Sequence, residues 1–224
     1  MHTTGIWYMI SEGSFWTSLL SGLGVTLIVS AISIVVAFVL GVVVGVMRYS
    51  KAPVISQIAT VYIEILRNIP LLLLMFAFFL IGQMQNLTAA IVAMSIFTGA
   101  VVAEVVRGGL NSIPKGQWEA ARSQGMTYIQ ILRYIVLPQA VAKMIPPMVS
   151  QFVTAIKDSS FALQLGVLEL SNRAGILRAG HTGTGQILTI YAVTAAIYFT
   201  VNFILSVVAR RLQKRLSAGG GTIG

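Results

Sequence analysis

Five apolar stretches, several about 20 residues long, dominate this sequence and constrain its fold more than any other feature. A helix rises 1.5 Å per residue, so about 20 apolar residues reach across a hydrocarbon core of about 30 Å. Only 9% of the residues are charged and 56% are hydrophobic, whereas an aqueous surface needs roughly a quarter of its residues charged. The chain therefore reads as an all-α integral membrane protein, and a soluble fold is excluded. A net charge of +9 would suit nucleic acid, but the basic residues border the apolar runs instead of alternating with surface aromatics. Nucleic acid is not an expected partner; the lipid bilayer is. The chain has no cysteine, which removes disulfides, cysteine metal sites and thiol catalysis.

Taken in order, residues 1–18 hold one acidic residue, Glu12, and no Lys or Arg, so the basic start of a cleavable signal peptide is missing and this end is expected to stay, outside the membrane. Leu19 to Met47 is the first span, with Gly41 and Gly45 spaced for close packing of another helix of the same chain. Arg48 and Lys51 mark its cytoplasmic end. Ile55 to Gly82 is the second, kinked at Pro70, with polar groups near its inner half. Glu64 and Arg67 lie three apart there and are expected to pair, with contact to substrate as the alternative. Leu87 to Val106 is the third, and Glu104 pairs with Arg107 or faces substrate. Ala140 to Ile156 is the fourth, broken by Pro146 and Pro147, and leads into Lys157, Asp158, Ser159 and Ser160. Glu169 to Gly185 reads as an outer loop carrying a short interfacial helix. Gln186 to Ala209 is the fifth span, and the Gly-rich tail within 213–224 is expected to be disordered. All but three of the 15 basic residues then fall at cytoplasmic ends, which sets the N-terminus outside and the C-terminus inside.

The segment between the third and fourth spans carries the strongest local signals. Pro114 suits a first helical turn after Asn111 or Ser112 as cap, and Gly125 suits a left-handed stop for a helix over Lys115 to Gln124. Thr127 with Gln130 makes a capping box that restarts a helix through Leu137, and Pro138 re-aims the chain. Two short helices hinged at Gly125 are thus expected on the cytoplasmic face, with Trp118 as an aromatic anchor and the small pair Ala120 and Ala121 admitting a partner's surface. The plainer reading is a passive interfacial helix. No phosphate-binding loop and no HExxH zinc motif occurs, and His2 and His181 stand apart from other catalytic residue types, so the chain is not expected to be an enzyme.

The pattern EAA, three residues, G, nine residues, I, one residue, LP, met by Glu119, Ala120, Ala121, Gly125, Ile135, Leu137 and Pro138, resembles the cytoplasmic signature of the membrane-spanning subunits of binding-protein-dependent type I ABC importers. Tyr62 to Pro70, Ala103 to Gly109 and Lys157 to Ser160 look like the polar amino-acid branch of that family, and the resemblance covers residues 19–212, with a coupling region at 112–138. Phe161 and the Gln164–Leu165 pair depart from the branch and bear on which substrate is carried. The resemblance implies about five spans and a coupling helix around Glu119, Ala120, Ala121 and Gly125, flanked by Trp118 and Arg122, that seats in a separate ATPase dimer. ATP and Mg would be bound by that partner, and no cofactor by this chain. It further implies a second permease copy or related permease, an external solute-binding protein and a place in the bacterial cytoplasmic membrane. A polar amino acid is a zwitterion, so Lys157 and Asp158 offer it both signs of charge, with Ser159 and Ser160 as donors and Glu104, Glu64 and Arg67 as further candidates. The plainer reading is that Lys157 and Asp158 neutralise each other. A secondary transporter or channel working without an ATPase, and a membrane scaffold without transport, are the competing classes.

Overall fold

The computed structural model describes residues 2–219, and the side chains of residues 5–211. Ten α-helices follow one another, with short π and 3-10 segments between some of them and no strand among the described residues. They are α1 (His2–Ser11), α2 (Gly13–Tyr49), α3 (Pro53–Asn68), α4 (Leu71–Phe76), α5 (Asn86–Asn111), α6 (Lys115–Ser123), α7 (Tyr128–Ile131), α8 (Leu137–Asp158), α9 (Leu170–Ala179) and α10 (Thr184–Gly219).

Three helices, α2, α5 and α10, are long and apolar enough to cross a bilayer, and α3 with the segment Leu71–Ile81, bent by 103° between them, passes the same test only when the two are counted together. The expected fourth span, Ala140 to Ile156, lies in α8, whose 22 residues reach about 33 Å but carry Gln139, Lys143, Gln151, Lys157 and Asp158. Length serves it and hydropathy does not, as for a helix whose polar face meets protein or a water-filled path. The expected kink at Pro70 is a full break: α3 stops at Asn68 and α4 starts at Leu71. Proline disfavours the helical conformation in the residue before it and has no N–H to donate, so both sides of the break follow from one residue.

The prolines of the fourth span do not interrupt it. The expected breaks at Pro138 and at Pro146–Pro147 are absent: α7 runs through a π segment, Leu132–Val136, into α8, and both interior prolines stay helical. A π turn widens the backbone and frees carbonyls, which places it where Pro138, two residues later, would otherwise clash. Gln139 Nε2 then donates to Ile135 O at 2.8 Å. The second short helix of the central insert is therefore the first turn of a long one. At the C-terminus, α10 continues to Gly219, into the segment from 213 expected to be disordered, because Leu, Gln, Lys and Arg after the span are good helix formers; residues 220–224 lie outside the described residues.

The contacts divide the chain into two compact units. The first comprises residues up to Val35, Ile69–Ser95 and Val153–Ile204. Its core gathers Met9, Phe15, Leu19, Leu170, Ala174 and Ile190, so α1 is tied down by Met9 while Trp7 and Tyr8 stay exposed. Gly22 permits this packing, since a Cβ there would sit 2.9 Å from the Leu170 backbone.

The second unit comprises Val36–Asn68, Ile96–Phe152 and the residues from Leu205 onward. One cluster joins Val102, Val106 and Leu110 of α5 to Ala121, Ile131, Val136, Ala140 and Met144, and so fixes the central insert to the end of the third span. The Gly41–Gly45 pair works within the chain: added Cβ atoms would lie 2.8 Å from Gly99 O and 2.6 Å from Ala103 O. Helices α2 and α5 thus meet backbone to side chain along this stretch, which a larger residue would prevent.

Candidate coupling and substrate sites

Helix α6 is held by its ends. Pro114 occupies the N-cap with φ −57° and ψ 141° and offers no side-chain cap. Ser112 is turned away, donating to Gly109 O at 2.7 Å, so the expected cap by Asn111 or Ser112 is not made. Proline supplies an extended entry and has no N–H to leave unsatisfied, which lets the helix start without one. At the other end Gly125 takes φ +77°, Gly125 N donates to Arg122 O at 2.9 Å and Met126 N to Ala121 O at 3.2 Å. These are the paired closing bonds of a left-handed helix stop. The next residue begins the capping box: Gln130 N donates to Thr127 Oγ1 at 3.4 Å and Thr127 N to Gln130 Oε1 at 2.8 Å. Stop and restart, read from Gly125, Thr127 and Gln130, both form.

The faces of α6 are unequal. Ala121 is buried at 3% exposure within the cluster of α5 and α8, so it packs inward and cannot admit a partner. Trp118 also serves the interior, packing on that cluster and stacking on Tyr128 with ring centroids 5.4 Å apart. Gln117, Glu119, Ala120 and Arg122 are exposed. The helix is clamped by one side and presents the other, which a passive interfacial helix with its apolar face in lipid would not do.

Charged groups join three helices of the second unit. Arg48 Nη1, at the end of α2, donates to Glu104 Oε2 of α5 at 2.6 Å, and its Nη2 lies 3.7 Å from Glu64 Oε1 of α3. Arg107 Nε donates to both oxygens of Glu104, at 3.2 and 3.1 Å. The expected Glu104–Arg107 pair is present, and Arg48 adds a second cation that sequence spacing could not reveal. The expected Glu64–Arg67 pair is not made: Glu64 turns to Arg48, and Arg67 has no ion pair among the described residues. Partners on another helix can approach a carboxylate head-on, whereas residues three apart must share one helix face.

Lys157 and Asp158 close α8 in the first unit. Lys157 is exposed and Asp158 half-buried, and no ion pair joins them. Successive helical residues point about 100° apart, so the two charges stand side by side without a direct ion pair. Ser159 is fully buried and donates to Ile156 O at 2.7 Å, which removes it as a donor to a ligand. Ser160 is half-buried, and both serines begin a 3-10 segment, Ser159–Leu165, ended by Gly166 at φ +78°.

Glu169 begins the segment expected to be an outer loop, and no motif or spacing in the sequence marks it. It is fully buried and caps α9, taking Asn172 N at 2.7 Å and Ser171 N at 2.9 Å. Tyr198 OH of α10 donates to it at 2.8 Å, and Thr26 Oγ1 of α2 at 3.4 Å. Thr26 Oγ1 also accepts from Leu170 N at 3.1 Å. A buried carboxylate needs this number of donors. Thr26 is one of several hydroxyl residues in its apolar run, with Ser21, Ser30 and Ser33, so nothing local singles it out as the partner of Glu169.

Comparison with known proteins agrees with this geometry. Residues 37–218 match the family described as the binding-protein-dependent transport system inner membrane component. The chain is 45% identical over 199 residues to the probable glutamine ABC transporter permease protein GlnP of Bacillus subtilis, covering 87% of this chain and 91% of that one. It is 32% identical over 205 residues to the glutamine transport system permease protein GlnP of Escherichia coli K12, covering 88% and 92%. Among solved structures it superposes on an amino acid ABC transporter crystallised with histidines, with a TM-score of 0.83 at 29% identity over 92% of this chain and 98% of that one. The fold also matches that of the inward-facing MetNI methionine ABC transporter, TM-score 0.74 at 22% identity, over 92% and 99%. With the family match running through both units and the signature segment folded as a clamped, outward-facing helix, this chain belongs to the inner membrane components of binding-protein-dependent transport systems.

Proposed function

We propose that the chain is the permease subunit of an ATP-driven importer for a polar amino acid in the bacterial cytoplasmic membrane. The observation that carries this reading is α6: nine residues, too few to hold a helix alone in water, yet fixed by the Gly125 stop and by burial of Ala121. Its exposed face, Gln117, Glu119, Ala120 and Arg122, seats in a separate ATPase dimer that binds ATP and Mg and hydrolyses it in trans. Motion of that partner passes through the Ala121–Ile131–Met144 cluster into α8. A second permease copy or a related permease completes the pathway, and an external binding protein delivers the solute.

The relatives' names and the charges at the end of α8 support the substrate class. Lys157 and Asp158, without ion-pair partners among the described residues, offer a cation for a carboxylate and an acceptor for an ammonium, and Ser160 adds a hydroxyl. Glu104, satisfied by two arginines, is assigned to holding α2, α3 and α5 together, and Glu64 to the same network. Arg67 remains a candidate contact.

Affinity purification of the tagged permease from membranes tests the reading. An ATPase of roughly 25 kDa, the size of one domain, is expected to accompany it, and Glu119→Lys to release that partner. A permease that purifies free of any ATPase, with Glu119→Lys indistinguishable from the parent in transport, would overturn it. Lys157→Met and Asp158→Asn are expected to lower uptake while the ATPase stays bound; unchanged uptake in both removes the substrate assignment alone.

A further inference from the structure

Two cavities of the second unit share Val46, Leu110 and Leu137 in their linings and so adjoin as the two parts of a groove. The inner part, of about 460 Å³, is bounded by α2, α5 and α8 through residues such as Phe38, Val42, Val106, Met144, Met148 and Phe152, and exposes no polar surface. Along α8 it runs from Leu137 to Phe152, fifteen residues on, or about 22 Å at 1.5 Å per residue. That exceeds the depth of one leaflet, half of a core of about 30 Å. The outer part, of about 800 Å³, changes character: Lys51, Lys115 and Arg122 line it beside Tyr49, Ser50 and a single carboxylate, Glu119. None of those three cations has an ion pair among the described residues.

We propose that this groove binds an anionic phospholipid, one acyl chain lying in the apolar slot and the phosphate held at Lys51 and Lys115. Each half of the groove selects its part of the molecule. A slot without polar lining gains from an alkyl chain and repels anything hydrated, and its length suits a chain that descends one leaflet. Lys51 and Lys115, which lie outside the face of α6 given to the ATPase, favour a phosphate over a zwitterionic headgroup, and basic pockets at the cytoplasmic side of membrane helices bind such headgroups. The positive-inside bias sets the mouth at that side. A free phosphate would satisfy the mouth and leave the slot unfilled. Because the slot is walled by Met144 and Met148 and its mouth by α6, a bound lipid would fill the space between the coupling helix and α8. The inference rests on the membrane reading of the chain and is independent of which solute is carried.

Phosphatidylglycerol carrying a photoactivatable diazirine on one acyl chain, incorporated into nanodiscs with the full transporter complex, provides the test. Mass spectrometry should place adducts on the peptide 137–152 and on α2 near Val42. Unlabelled phosphatidylglycerol should compete, and phosphatidylcholine and inorganic phosphate should not. Lys51→Gln with Lys115→Gln should lower the adduct yield about tenfold or more, in keeping with the attraction of two basic groups at a membrane surface. Val141→Phe, which narrows the slot from a partly exposed position, should abolish adducts without changing that headgroup preference elsewhere on the protein. Equal labelling by phosphatidylcholine and phosphatidylglycerol overturns the proposal. So does a groove free of adducts in which Val141→Cys forms disulfide-linked dimers, since a second copy would then occupy it.

Discussion

Gly125 offers the cleanest separation of backbone from contact effects in the coupling region. It sits at φ +77°, and a Cβ built there meets nothing within 4 Å, so any penalty of substitution is conformational. For an L-residue the left-handed region costs about 1–2 kcal/mol, and Ala gives back about 0.4–1 kcal/mol by restricting the unfolded chain. The net for Gly125→Ala is about 1 kcal/mol, roughly a fivefold shift in a local equilibrium. Asn, which enters this region more readily, should cost less, and β-branched Val more. What the penalty opposes is the pair of closing bonds, Gly125 N to Arg122 O and Met126 N to Ala121 O. With only nine residues, α6 has no reserve of its own, so the cost appears as opening of the helix and not as global unfolding. Hydrogen exchange at the amides of Gly125 and Met126 in the assembled transporter measures this. Exchange should rise about fivefold in the Ala variant, less in Asn and more in Val, with ATPase retention falling in the same order. Equal exchange in parent, Ala and Val would refute the argument, and so would an Asn variant as damaged as Val.

Three further outcomes follow from packing and charge. Gly45→Leu should lower thermal stability by about 1–3 kcal/mol, the usual cost of overpacking, because the new side chain meets the Ala103 carbonyl and the Val106 side chain; a melting temperature equal to the parent's would show that α2 and α5 are not held this closely. Arg48→Ala should destabilise by about 1–3 kcal/mol by leaving Glu104 with one cation, and Glu104→Gln in the same chain should recover part of that loss in a double-mutant cycle; strict additivity would deny the coupling. Glu169→Ala should destabilise more than Tyr198→Phe, since it strands Ser171 N and Asn172 N as well as the tyrosine hydroxyl; the reverse order in thermal melts would contradict the cap assignment.

Features encoded within a few residues were legible in the sequence: the Gly125 stop, the Thr127–Gln130 box and the close packing at Gly41 and Gly45. Each depends on local conformational preference or on composition along one helix. What escaped depends on partners distant in sequence. Arg48 lies 56 residues from Glu104 and Thr26 lies 143 from Glu169, and no spacing rule connects them. Proline was the other source of error, because its local effect is a break while its actual effect is set by context. At Pro70 the chain does break; at Pro138 a π turn absorbs the misfit. Ala121 shows the same limit from the opposite direction, since a small residue that suits a partner's approach suits burial equally well.

The central claim, that α6 passes the motion of a separate ATPase into α8, is tested most directly in proteoliposomes holding the permease, its ATPase and its binding protein. Uptake of labelled polar amino acids and ATP hydrolysis would be measured together for the parent and for Gly125→Val. The account predicts ATP-dependent uptake of at least one polar amino acid by the parent, and in the variant a loss of uptake for each ATP hydrolysed greater than the loss of hydrolysis itself. Uptake that proceeds without ATP, or a variant that keeps the parent's ratio of uptake to hydrolysis, would contradict it.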